Sequence, residues 1–221
     1  MKNFIKGFRF TPSNYPAEVE AKIQKYRKQG YKLPPRKVLR TPEQLEGIRE
    51  SAKINTALLD YISENIREGM STEEIDVLVY DFTTSHGAIP APLNYEGFPK
   101  SVCTSINDVV CHGIPNKNEI LKSGDIINVD VSTIYKGYFS DASRMFMIGD
   151  VNLEHFGRRG TGMMIVPGMT FTIEPMINMG TYEVFVDDAD GWTVCTDDGL
   201  PSAQWENMIL ITETGNEILT Y

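Results

Sequence analysis

The sequence predicts an α+β fold with an antiparallel-rich sheet. Two helical segments come first, and each begins at a capping motif. From Ser101 onward the chain changes to runs of β-branched residues separated by glycine and proline turns. The 221 residues are 41% hydrophobic, which is enough to bury a substantial core in one large domain.

Residues 1–40 differ in charge from the rest of the chain. They hold 11 Lys and Arg against two Glu, a net charge of +9, so the remaining residues carry −18 to give the overall −9. We therefore divide the chain into a basic N-terminal extension, 1–40, and a domain, 41–221. The extension is suited to contact RNA or another polyanion, or to lie across its own acidic body.

The composition also limits where the protein works. Three cysteines without a Cys-x-x-Cys pair predict neither disulfides nor a zinc knuckle. No run approaches the roughly 18 apolar residues that a membrane span requires. We expect a cytoplasmic protein, a monomer, that does not enter a membrane.

Capping signals place the two helices of the domain. Residues 41–44, Thr-Pro-Glu-Gln, combine an N-cap, a proline at the first helical position and an acceptor at the third. A long helix is expected from there to Gly69. Ser71 caps a second helix that runs to about Ser85.

Six later stretches have the composition of strands. They are Ser101 to Ile106, Val109 to His112, Asp125 to Val131, Gly137 to Ile148, Met169 to Ile177, and Gln204 to Thr220.

Two aspartates interrupt one of these strand-like stretches, with a turn signal at Lys136-Gly137 near their midpoint. We expect Asp130 and Asp141 to face each other across a hairpin. Like charges on neighbouring strands repel, and an unpaired buried carboxylate costs several kcal/mol or so. The pair therefore predicts a cation between the two strands.

Glu174 and Glu206 repeat this pattern in later apolar strands. One such acid alone is as often an edge residue facing water, but four favour a shared cation site. Carboxylate oxygens are hard ligands that suit Mn, Fe, Co or Mg. Four carboxylates carry more charge than one divalent ion needs, so we expect two ions that together activate water.

Several ordered motifs resemble the type I methionine aminopeptidases, and the match covers nearly the whole chain from Thr41. The resemblance implies a pita-bread fold, a centre of two divalent ions (Co, Mn, Fe or Zn), and removal of the initiator methionine from nascent chains. The motifs are Pro99 to Pro115, Asn128 to Val131, Ser140 to Phe146, Pro167 to Met176, Asp190 to Val194 and Ser202 to Glu206.

The same resemblance implies roles for individual residues. Asp130, Asp141, Glu174 and Glu206 look like four of the five family metal ligands. His112 matches a histidine that holds substrate and stabilises the tetrahedral intermediate, and Glu174 would also shuttle the proton. The positions that match the methionine pocket are Tyr95, Phe98, Cys103 and Trp192, and aromatic and soft surfaces suit a thioether. Without the resemblance, His112 and the pocket residues would be expected to be structural.

The sequence departs from the family between Val151 and Asn152. Family members carry there a second helix pair and a Gly-His-Gly-Ile-Gly segment whose first histidine is the fifth ligand. His155 does not replace it, because it matches a position after that segment. A genuine deletion would leave one sheet face uncovered and the protein unstable, oligomeric or inactive. The intact motifs on both sides favour instead a segment that the written sequence skips.

Three functions remain open from the sequence. The first is a metal-dependent methionine aminopeptidase acting on the N-terminal Met of nascent chains. The second is a catalytically impaired or non-catalytic pita-bread binding protein, because the fifth ligand is absent. The third is a related peptidase for Xaa-Pro bonds, which the aromatic pocket disfavours.

Overall fold

The computed structural model describes residues 17–31, 33, 39–148 and 166–220. The junction of Val151 with Asn152 and the side chain of His155 lie outside these residues. The elements occur in the order expected, with helices before the main run of strands. The fold is α+β, as predicted.

Three α-helices are present in the described part of the chain: α1 (Ala17–Lys28), α2 (Pro42–Asn65) and α3 (Thr72–Ser85). Both predicted capping motifs form, since Thr41 and Ser71 each exchange hydrogen bonds with the residue three positions later. Helix α2 ends at Asn65, four residues before the predicted Gly69, because Ile66 turns to an extended conformation (φ −66°, ψ 134°).

Twelve short strands follow α3 among the described residues. They are β1 (Ile89–Pro90), β2 (Cys103–Ile106), β3 (Val109–Cys111), β4 (Ile126–Tyr135), β5 (Tyr138–Met147), β6 (Thr170–Ile173), β7 (Met176–Asn178), β8 (Val184–Val186), β9 (Val194–Thr196), β10 (Ser202–Gln204), β11 (Glu206–Ile211) and β12 (Asn216–Ile218).

The main sheet has seven strands and every pairing in it is antiparallel. Its order is β1-β4-β5-β11-β12, with β2 also paired to β4 and β6 to β11. Two smaller sheets join β10 to β7 and β3 to β9 and β8. The sheet is therefore antiparallel, as the sequence predicts.

The β4–β5 hairpin is the centre of this sheet. Its turn consists of Lys136 (φ 50°) and Gly137 (φ 86°), both left-handed, which matches the twist of the flanking strands. The pairing extends over ten residue pairs, from Tyr135 with Tyr138 to Ile126 with Met147. This long register fixes which side chains share a face.

Helices α2 and α3 cover one face of the hairpin. Leu58 and Ile62 of α2 and Ile75 of α3 pack in one buried cluster with Val129 and Val131 of β4. The opposite face carries polar residues at alternate positions, including Asn128, Asp130 and Ser143. Burial of the apolar face thus orients the carboxylates to the other side.

The part of the sheet that includes β6 lacks the helical cover that α2 and α3 give to the β4–β5 hairpin, within the described ranges. No helix lies between β5 and β6 among the described residues, and Ile173 at the end of β6 is 53% exposed. Helix α1 packs near the start of β6, where its Ile23 forms a small buried cluster with Leu39 and Val166.

Helix α1 also forms an ion pair with the body, from Lys22 to Glu213. This contact places one lysine of the basic extension against an acidic side chain of the domain. No helix in the described ranges is long and apolar enough to cross a membrane.

Candidate metal centre

Three of the predicted carboxylates lie together on the open face of the sheet. Asp130, Asp141 and Glu206 each offer an oxygen, and these oxygens lie within 4.8 Å of one another. We call these three residues the carboxylate cluster. Glu206 is buried, and Asp130 and Asp141 are partly exposed.

Strand register explains how the carboxylate cluster forms. Ser143 of β5 pairs with Asp130 on one side and with Glu206 on the other. Asp141 precedes Ser143 by two residues and pairs with Ser132, so it shares their face. The two aspartates are therefore diagonal neighbours, and the expectation that they lie directly opposite each other is corrected.

Burial and mutual repulsion raise the pKa values of all three carboxyl groups. The pKa of Glu206 rises to about 8, first because of desolvation and then because of Asp141 and Glu174. Desolvation likewise raises the pKa of Asp141 to about 6. Desolvation and then the charges of Asp141, Glu206 and Glu174 raise the pKa of Asp130 well above its usual value.

The residues present fit a divalent metal ion. Three hard oxygen donors converge, and an added cation would offset the repulsion that raises their pKa values. Ser132 donates a hydrogen bond of 2.8 Å to Oδ1 of Asp141, which orients that carboxylate.

Glu174 lies beside the carboxylate cluster but outside it. It follows directly after β6, whose Ile173 pairs with Asn207, so continued register places Glu174 opposite Glu206. Its carboxylate is exposed and accepts hydrogen bonds from Thr172 Oγ1 (3.2 Å) and Gln204 Nε2 (3.1 Å). Its electrostatic effect on Asp130, Asp141 and Glu206 indicates that it is close to all three.

Three of the predicted substrate residues form an aromatic group. The ring of Trp192 makes edge contacts with Phe98 (centroids 5.3 Å apart) and with His112 (6.1 Å). Phe98 is buried, and His112 is exposed. Tyr95 lies three residues before Phe98 in a short 3-10 turn and is 57% exposed.

Cys103, the fourth residue predicted for the methionine pocket, lies beside the carboxylate cluster. It pairs directly with Asp130 across β2 and β4, and it is buried. Desolvation, followed by the charge of Asp130, raises the pKa of the thiol, so Cys103 is a neutral, soft surface. This suits the predicted contact with a thioether better than metal ligation.

His112 has an unusual backbone, with φ at 58°. The next residue must be glycine, because a Cβ on Gly113 would lie 2.0 Å from the carbonyl oxygen of Thr104. A left-handed non-glycine residue costs of order 1 kcal/mol or more and is common at functional sites. The close packing of Gly113 holds the imidazole of His112 at the pocket.

Sequence reasoning missed the polar residues that hold the carboxylates in place. Gln204 contacts Glu174, and Asn128 donates to Ser143 Oγ (3.1 Å) and to the backbone oxygen of Gln204 (2.7 Å). Their only signal was their position inside two of the matching motifs, two residues before Asp130 and Glu206.

Comparison with known proteins gives a consistent family. Residues 46–156 match metallopeptidase family M24. A methionine aminopeptidase of Rickettsia prowazekii is 37% identical over 236 residues, covering 78% of this chain and 91% of the relative. Methionine aminopeptidase A of Synechocystis is 38% identical and covers 80% of this chain and 94% of the relative. The crystal structure of the Rickettsia enzyme matches with a TM-score of 0.78 at 36% identity, over 83% of this chain and 99% of that one.

The Rickettsia alignment also indicates an internal difference in length. It extends over 236 residues, whereas 78% of this 221-residue chain is only about 172. About 64 residues of the relative therefore lie within the aligned region but have no counterpart in this chain. A difference of this size agrees with the segment that the motifs predict after Val151. The likeness otherwise covers both sequence and fold, and the chain belongs to metallopeptidase family M24, with the pita-bread fold of its methionine aminopeptidase relatives.

Proposed function

We propose that this protein is a metal-dependent methionine aminopeptidase that removes the N-terminal methionine of newly made proteins. The observation that carries the proposal is the carboxylate cluster, whose oxygens, from three neighbouring strands, lie within 4.8 Å of one another. One of its members, Asp130, also pairs with Cys103. The family and the names of its relatives support this chemistry.

Asp130, Asp141 and Glu206 would hold the metal, and Glu174 would complete the site from its edge. A bound divalent cation supplies Lewis acidity toward water and the scissile carbonyl. Four carboxylates are suited to two such ions, and Mn, Co, Fe and Zn are the candidates. The carboxylate oxygens do not select among these four metals.

The other residues have roles that follow from their positions. Phe98, Cys103 and Trp192, with Tyr95, would bind the methionine side chain through soft and aromatic surfaces. His112, at the rim beside Trp192, would donate a hydrogen bond to the substrate. Glu174 would take up and return a proton, because its exposed carboxylate lies next to the carboxylate cluster.

A peptide panel tests the substrate assignment. With Mn²⁺ present, the protein should release Met from Met-Ala-Ser and leave Leu-Ala-Ser and Ala-Pro-Ser intact. Trp192→Ala should raise KM for Met-Ala-Ser about tenfold, by loss of an aromatic wall. Cleavage of Ala-Pro-Ser in preference to Met-Ala-Ser would replace the proposal with an Xaa-Pro peptidase.

The comparisons do not favour a non-catalytic binding protein, because the relatives that the chain matches over most of its length are enzymes by name. A binding protein would retain peptide affinity in Asp130→Asn and release no Met with any divalent ion. That pair of results would establish the alternative.

We also propose a cytoplasmic monomer whose basic extension contacts ribosomal RNA. Helix α1 is anchored through Ile23, while Lys25, Arg27 and Lys28 at its end are exposed. Changing these three residues to Glu should weaken co-sedimentation with ribosomes and make it less sensitive to salt. Unchanged co-sedimentation would reject the contact and leave α1 with only its role on the body.

A further inference from the structure

We propose that Gln204 is a positioning residue that holds the carboxylate of Glu174 beside the carboxylate cluster. The inference rests on the proposed function, since it concerns the group that would move the proton. The side-chain hydrogen bond of Gln204 goes to Glu174, and Gln204 acts through that residue.

The contacts of Glu174 indicate how its orientation is set. One oxygen accepts from Thr172 and the other accepts from Gln204 Nε2, at 3.1 Å. Glu174 is exposed, whereas Gln204 is only 2% exposed. The buried side chain of Gln204 thus restrains the exposed side chain of Glu174, which would otherwise sample several rotamers in water.

Gln204 is itself tied to the strands of the carboxylate cluster. Its backbone oxygen accepts a 2.7 Å hydrogen bond from Asn128, which also donates to Ser143. Asn128 precedes Asp130 by two residues on β4, and Ser143 follows Asp141 by two on β5. Through Gln204, Asn128 and Ser143, a chain of hydrogen bonds therefore connects Glu174 with the two strands that carry the aspartates.

The other end of the amide argues against a purely structural role. Among the described residues, no donor reaches Gln204 Oε1 although that atom is buried. An unsatisfied buried carbonyl is unfavourable to folding, which offsets what the bond to Glu174 contributes. Gln204 therefore gives the fold little stability, and its use lies in orienting Glu174.

Gln204→Met tests this, because methionine keeps the length of the side chain and removes both polar ends. We expect kcat for Met-Ala-Ser to fall about 10- to 100-fold, the usual effect of losing a partner that orients a reactive group. KM and the Mn²⁺ affinity measured by calorimetry should stay within about threefold, since the substrate-binding residues and the three carboxylates of the cluster, which hold the ion most closely, are unchanged. The melting temperature should not fall.

Ser202→Ala is the matched control. Ser202 lies on the same strand, its buried hydroxyl has no partner among the described residues, and it forms no described bond to Glu174. The kcat of Ser202→Ala should equal that of the wild type.

A double variant tests whether Gln204 acts through Glu174. In a Glu174→Asp background, where the shorter side chain cannot reach Nε2 of Gln204, Gln204→Met should have no further effect on kcat.

A wild-type kcat in Gln204→Met overturns the inference, and so does a lower kcat accompanied by equal losses of Mn²⁺ affinity and melting temperature. Crystal structures supply a readout that needs no turnover. The Glu174 carboxylate should have one orientation in the wild type and more than one in Gln204→Met; one shared orientation in both proteins overturns the inference. Absence of Met release by the wild type rejects the proposed function instead.

Discussion

At the scale of single residues, the carboxylate cluster is unfavourable to folding unless a cation is bound. Glu206 is only 2% exposed, and desolvation with two nearby carboxylates raises its pKa to about 8. The folded protein therefore binds a proton at Glu206 more tightly than the unfolded chain does. Below the pKa that Glu206 has in the unfolded chain, the carboxyl group is protonated in both states and its burial requires no ionisation. As the pH rises from there through the folded pKa, the free energy of unfolding falls.

Glu206→Gln should remove the contribution of Glu206 to this pH dependence from the metal-free protein. From about pH 4.5 to about pH 8 the wild type should lose up to about 4 kcal/mol relative to the variant, because Asp130 and Asp141 are present in both proteins and only the wild type must ionise Glu206. Urea unfolding after dialysis against a chelator measures the difference. The exposed Glu68→Gln is the control and should differ from the wild type by a constant amount. A constant difference for Glu206→Gln as well would contradict the pKa assignment.

Residue types in the sequence were enough to predict a shared carboxylate site, and the strand register brings three of the four predicted carboxylates together. The sequence did not place Glu174 outside them or pair it with Gln204. Both depend on where β6 and β10 end relative to β11, which is a property of tertiary pairing. A lone polar residue in a short strand carries no periodic signal of its partner.

At the scale of elements, local signals predicted the helices and the central hairpin well. Capping boxes fixed where α2 and α3 begin, and Lys136-Gly137 is the turn of the β4–β5 hairpin. The predicted strand Met169 to Ile177 is instead divided, because Pro175 has no N–H for a ladder bond. Strands β1, β8 and β9 were missed, since two or three residues give no reliable period of their own.

Gly47 determines how closely α2 approaches β5. Glycine in a helix interior is usually worse than alanine by about 1 kcal/mol, but a Cβ here would lie 2.3 Å from the ring of Tyr138. Tyr138 starts β5, next to the hairpin turn. Gly47→Ala should therefore destabilise the protein by about 1–3 kcal/mol, as overpacking does.

Thermal and urea unfolding of Gly47→Ala measure this effect. Ser63→Ala, at an exposed position of the same helix, should be neutral or slightly stabilising. If Gly47→Ala is neutral or stabilising, as expected for Ser63→Ala, then α2 does not pack as closely against the ring of Tyr138 as the structure indicates.

At the scale of the whole molecule, metal binding and folding stability are linked. The carboxylate cluster joins β4, β5 and β11, so a cation bound there connects the two halves of the sheet. Mn²⁺ at one hundred times its Kd should raise the free energy of unfolding by about 2.7 kcal/mol. Thermal unfolding with and without Mn²⁺ measures this gain.

The double variant Asp130→Asn with Glu206→Gln tests where the stabilising ion binds. It should melt at the same temperature with and without Mn²⁺, because two of the three oxygen donors have become neutral amides. An undiminished Mn²⁺ effect in the double variant would place the ion elsewhere on the acidic body.

The central claim is that the carboxylate cluster makes this chain a metal-dependent methionine aminopeptidase. The most direct measurement is the rate of Met release from Met-Ala-Ser as Mn²⁺ is added to chelator-treated protein, for the wild type and Asp141→Asn. We predict no release without metal, a saturable rise in the wild type, and a rate at least 100-fold lower in the variant, in the range of single catalytic or ligand losses. Equal rates in the two proteins, release that persists in excess chelator, or no release with any divalent ion would contradict the claim.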